Sequence, residues 1–166
     1  MSRLHGQLVL SEVGQTVRAP RRTNDRLQCL ALAVDGRRRQ ELAAAAREAG
    51  WLTLECDDAP SALLCLQRML VGLALVDLDQ VADDERAELR SAIEVLASQS
   101  GLLIVLCGQE NQPQEEIWAR QLGVWLYLPG VKDGTELSVL CSEARPLAER
   151  LAVQASAMSG PVMRVG

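Results

Sequence analysis

The chain has no phenylalanine, and its aromatic residues come to 2% of 166 positions. The core must therefore be built from Leu, Val, Ala and Ile, and a hydrophobic content of 48% supplies enough of them. Histidine is almost absent: His5 is the only one. The five cysteines, Cys29, Cys56, Cys65, Cys107 and Cys141, form no CxxC pair, so neither they nor His5 offer the ligand spacing of a zinc site. Lying on apolar stretches, they read as reduced, buried thiols, which predicts a cytoplasmic protein. No apolar run reaches membrane-spanning length, and the N-terminus lacks the apolar core of a signal peptide, so no membrane association is expected. A net charge of −5 argues against nucleic acid as the main partner.

What is present is an alternation. Residues 1–26 stand apart by composition, with Arg3, Arg18, Arg21, Arg22 and Arg26 against Glu12 and Asp25. They read as a basic, flexible arm, the one segment with any character suited to nucleic acid. Leu27 to Val34 then forms a near-continuous apolar strand ending at Asp35. RRRQELAAAAREA follows as a helix stopped by Gly50. WLTLEC reads as a short strand, and Asp57, Asp58 and Pro60 mark entry to a second helix. Leu73 to Val76, Leu102 to Leu106 and Val124 to Leu128 are further strands. Helices are expected over Asp83 to about Ala97, near Gln114 to Leu122, and from Thr135 to about Ala152, the last kinked at Pro146. Five strands alternating with five helices predict an α/β, (βα)5 doubly wound parallel sheet over 27–152, with a loose tail over 153–166.

The sharpest local signal is LALVDLD at Leu73 to Asp79. A buried strand ending in an acid delivers a carboxylate, Asp77, to the edge of a parallel sheet where ligands collect. With the acid after strand one, the DDAPSALLCL stretch, LIVLCG at strand four and ARQLGVWLYLPGVKDGTEL around strand five, the chain resembles the receiver domain of bacterial two-component response regulators. The resemblance covers roughly residues 27–150. It implies the flavodoxin-like strand order 2-1-3-4-5, with Asp77 at the phosphoacceptor position and Tyr127 at the aromatic switch position.

Aspartyl phosphorylation makes a carboxylate the nucleophile, and charge on the transferring oxygens must be met by a metal ion, a hydroxyl and an ammonium. The family pattern is depleted here. Asp35 is followed by Gly36, so the resemblance implies at most a weakened Mg²⁺ site at Asp35 and Asp77. Cys107 stands where a hydroxyl is expected, and a thiol is a weak donor. The lysine position reads Gly130, or Leu128 in a register shifted by two, with Lys132 beyond the strand end. No cation is therefore expected beside Asp77.

These departures predict a pseudo-receiver: not an enzyme, and a module working through protein–protein contact, with a stand-alone receiver phosphorylated on Asp77 in a phosphorelay as the alternative. A flavodoxin-like nucleotide binder is disfavoured, because AVDGRRR offers no glycine-rich phosphate cradle. The partner is expected to be another signalling protein or a second copy of the chain. The face around the fourth helix and fifth strand, with Trp118, Trp125 and Tyr127, is where the resemblance implies it docks.

Overall fold

The computed structural model describes residues 26–130 and 133–158. The basic arm (apart from Arg26), Lys132 and the tail from residue 159 lie outside the described residues. Strands β1 (Gln28–Leu32), β2 (Leu52–Cys56), β3 (Val71–Asp77), β4 (Leu103–Gly108) and β5 (Leu126–Pro129) alternate with helices α1 (Gly36–Glu48), α2 (Ala59–Arg68), α3 (Asp83–Ala97), α4 (Pro113–Leu122) and α5 (Gly134–Met158). The strands form one parallel sheet in the order β2-β1-β3-β4-β5, as the resemblance implies.

Side chains alternate across the sheet, as the pleat of a strand requires. Leu73, Leu75, Val105 and Cys107 pack with α1 and α5, including Leu42, Ala46, Leu137 and Cys141. Ala74, Val76, Ile104 and Leu106 pack with α2, α3 and α4, including Ala62, Leu89, Ile93 and Ala119. A sheet covered on both faces needs continuous apolar strands, and all seven residues of β3 are buried.

Helix ends follow local chemistry. Asp58 accepts the amide of Ser61 at 2.8 Å and starts α2 as the expected cap, with Pro60 in the first turn. Gly123 ends α4 in the left-handed region at φ 80°. α5 runs six residues past the expected boundary at Ala152, and residues 153–158 belong to it rather than to a loose tail. Ala, Gln and Met in that stretch are good helix formers, and Pro146 lies inside the helix without ending it.

Candidate functional site

Asp77 is the last residue of β3 and is 6% exposed. Its register partner on β4 is Cys107, whose own partner on β5 is Leu128. Strand parity puts Asp77 on the α1 side of the sheet. There Nε of Arg38, in the first turn of α1, lies 3.6 Å from Asp77 Oδ2. This corrects the expectation that nothing cationic stands beside the carboxylate: the charge comes from α1, not from the end of β5. Arg38 also holds Glu41 at 3.2 Å. Its neighbours serve elsewhere, Arg39 donating to the carbonyl of Ala33 at 2.9 Å and Arg37 pairing with Glu41.

Burial pushes the Asp77 carboxyl up to about 6, against the lowering pull of the Asp79 amide and of Arg38. The negative charges of Asp79 and Asp35 raise it further. The Cys107 thiol is pushed up to about 11, mainly by burial, with Arg38 opposing and Asp77 adding to the rise. At neutral pH this neighbour is a protonated thiol.

Asp35, the second acid implied for a metal site, has a different task. Its carboxylate accepts the amide of Arg38 at 2.8 Å and caps α1. Asp77 meanwhile faces a guanidinium. Among the described residues, no group of three or more His, Cys, Asp or Glu side chains could hold a metal ion. These residues do not fit the Mg²⁺ implied by the resemblance. An open pocket of about 680 Å³ does lie over them, lined by Asp35, Arg38, Glu41, Asp77, Asp79 and Glu85 among others.

Gly130 lies past the end of β5 with φ 68°, its amide bonded to the carbonyl of Gly108 at 3.0 Å. A Cβ there would meet the side chain of exposed Glu110, while Leu128, the other position the resemblance allows for the lysine, is the register partner of Cys107; neither carries a charge.

On the opposite face of the sheet stands a second polar group that sequence reasoning missed. Tyr127 of β5 donates its hydroxyl to Glu115 Oε1 at 2.9 Å. Glu115, in the first turn of α4, is buried at 6% exposure, and its other oxygen holds Nη1 of Arg86 at 2.5 Å. Arg86, from the start of α3, also donates Nη2 to the carbonyl of Leu78 at 2.9 Å. Burial and the Glu115 carboxylate raise the Tyr127 phenol well above its ordinary value. Gly108 leaves the room: a Cβ at that position would overlap the tyrosine hydroxyl.

Solved structures share this architecture. A CheY-like response regulator receiver domain protein from Methanospirillum hungatei superposes with a TM-score of 0.61 at 16% identity, covering 75% of this chain and 98% of that one. The chemotaxis response regulator CheY4 of Vibrio cholerae gives 0.59 at 16% identity, over 71% and 98% of the two chains. The fold is that of receiver domains. A structure described as adenylate cyclase from Rhodopirellula baltica has the same likeness, with a TM-score of 0.65 at 12% identity over 81% and 98%. Fold likeness at this identity carries no function by itself. No protein-family model and no curated protein sequence matches the chain.

Within the receiver fold, the expected site residues divide between the two faces of the sheet. Asp77 and Cys107 are neighbours, Asp35 sits at the pocket rim, and Tyr127 belongs to the far face with Glu115. The expected partner-face trio, each half-buried, lies around the edge strand β5 and reaches both cores. Trp125 packs against the α1–α5 core, whereas Trp118 and Tyr127 pack against the other. Trp118 is not a bare anchor, because the Arg90 guanidinium lies 4.1 Å from its ring centroid. Ile117 on α4 and Val139 on α5 are among the exposed apolar side chains, at 51% and 55%. No helix among the described residues is long and apolar enough to cross a membrane.

Proposed function

We propose that the chain is a receiver-fold signalling module whose α4–β5–α5 face contacts a partner protein, or a second copy, without phosphoryl transfer to Asp77. The observation that carries this reading is the bond from Tyr127 to buried Glu115, itself anchored by Arg86. A tyrosine held by a buried, charge-paired carboxylate has its inward position set by Glu115 and Arg86, with no bond from the Asp77 side chain in the chain of contacts. Charge-assisted hydrogen bonds of this kind are roughly twice as strong as neutral ones. The Asp77 side adds support. Its metal-implied partner caps a helix, its neighbour on β4 is a neutral thiol, and its own carboxylate is nearly enclosed.

Arg38 favours the second reading, a phosphoacceptor at Asp77. A guanidinium 3.6 Å from the nucleophile lowers the repulsion an incoming phosphate would meet, and its planar fork suits phosphoryl oxygens. In that case the Asp77 carboxylate attacks the phosphorus of a phosphodonor, and the donor's own oxygen leaves with the bonding electrons.

Acetyl phosphate with Mg²⁺, followed by intact-mass measurement, separates the two. The leading reading expects no phosphoryl adduct on the full chain. A stoichiometric adduct that is absent from Asp77→Asn and lost from Arg38→Ala would replace it with the second.

A further inference from the structure

Cys29, Cys107 and Cys141 are sealed in the α1–α5 core at 1% exposure or less. The other two cysteines meet at the opposite face. Cys56 ends the edge strand β2, Cys65 rides on α2, and their Sγ atoms are 3.5 Å apart. Both are free thiols. We propose that Cys56 and Cys65 are a thiol–disulfide redox site, closing to an intrachain disulfide on meeting a small disulfide of the glutathione class.

The geometry supplies contact and mobility together. A disulfide needs the sulfurs at about 2.05 Å, so they must approach by roughly 1.5 Å. Cys56 is fixed by its strand and 3% exposed. Cys65 is partly exposed, on a helix that fully buries only Ala59 and Ala62. A rotamer change or a small shift of α2 closes the gap without disturbing the sheet.

The order of steps follows from access. The Cys65 thiolate attacks one sulfur of glutathione disulfide, forming a mixed disulfide and expelling one glutathione thiolate. Cys56 then loses its proton to solvent and attacks the Cys65 sulfur, expelling the second glutathione thiolate. Two protein thiols are oxidised, one glutathione disulfide is reduced to two thiols, and the two protons go to the departing glutathiones. Burial, the Cys65 thiol and the charges of Asp57 and Asp58 push the Cys56 thiol up to about 12, so it enters the second step from the protonated form. The product ties α2 to the sheet edge, away from both Asp77 and Tyr127.

Peptide mapping of the full chain after exposure to glutathione disulfide tests this. No Lys or Arg lies between Arg47 and Arg68, so trypsin leaves both cysteines in one peptide, residues 48–68. The expected result is loss of two hydrogens in that peptide and loss of its alkylation by iodoacetamide, both reversed by dithiothreitol. Cys65→Ser, which touches the less buried partner, should leave Cys56 without any glutathione adduct. Two free thiols, or a persistent glutathione adduct at Cys65 with Cys56 still alkylated after denaturation, would overturn the proposal.

Discussion

Tyr127 and Glu115 are joined by a 2.9 Å hydrogen bond across the β5–α4 boundary, with the carboxylate buried and held from its other side by Arg86. One residue of β5 is thereby linked to the starts of α3 and α4. Through the bond of Arg86 to the Leu78 carbonyl, the same network ends one residue after Asp77. The amide of Leu78 in turn bonds the carbonyl of Cys107 at 2.8 Å.

Glu115→Gln keeps the shape of the side chain and removes the ion pair. Arg86 is left with one fewer anionic partner at 18% side-chain exposure, and water can meet part of its need. A loss of about 2–3 kcal/mol is expected, below the range for a fully buried pair. Urea unfolding with an unchanged slope is the check.

Gly108→Ala tests the same contact by shape. Its new methyl group would occupy the space of the tyrosine hydroxyl, so Tyr127 must leave Glu115 or the strands must part. Overpacking of this kind costs about 1–3 kcal/mol. The methyl group would also meet Glu115 Oε1 and the tyrosine Cζ, so Tyr127→Phe, which removes only the hydroxyl, should relieve part of the cost of Gly108→Ala and leave the rest; equal costs would show that the hydroxyl adds nothing to the clash.

Asp77 carries a pH signature. Its folded carboxyl titrates at about 6, above the ordinary carboxylate range, so the folded chain binds the proton more tightly than the unfolded one. The ionised form therefore destabilises the fold above pH 6, and this cost is relieved as pH falls from about 6 to about 4. Its full size is on the order of 2–3 kcal/mol. Asp77→Asn should be more stable than the parent at pH 8 and should flatten that window. Denaturant midpoints at pH 5 and pH 8 measure both effects.

Asp35→Ala removes the α1 cap and is expected to cost about 1 kcal/mol. The same substitution should leave the response to Mg²⁺ unchanged, because the carboxylate is engaged by the Arg38 amide. Thermal unfolding with and without Mg²⁺ tests this. A stabilisation of the parent chain by Mg²⁺ that Asp35→Ala abolishes would show that the two acids share a cation after all.

The alternation of apolar runs and amphipathic segments was enough to read the five strands and five helices. An apolar run closed by one acid was enough to put Asp77 at a strand end. Side-chain direction at helix starts was not legible. RRRQ after Gly36 carries helix propensity at every position, and only the placement of α1 over β3 decides that Arg38, not Arg37 or Arg39, meets Asp77. Glu115 was hidden for a similar reason. An acid in the first turn of a helix is ordinarily a solvated residue near the positive end of the dipole. Its burial depends on Tyr127, on Arg86 and on the space left by Gly108, three residues remote from it in the chain. The cover on Trp118 was hidden for the same reason, since Arg90 comes from another helix.

Tyr127 is the only tyrosine, so ¹³C-tyrosine labelling gives one ring to follow by NMR. The chain should be recorded alone, then with acetyl phosphate and Mg²⁺, alongside Glu115→Gln and Asp77→Asn. The account predicts a ring signal that acetyl phosphate and Asp77→Asn leave unchanged and that Glu115→Gln shifts, because the phenol then donates to a neutral amide oxygen instead of a carboxylate. A ring signal that moves with acetyl phosphate in the parent chain but not in Asp77→Asn would contradict it, and would make Asp77 the control of the face.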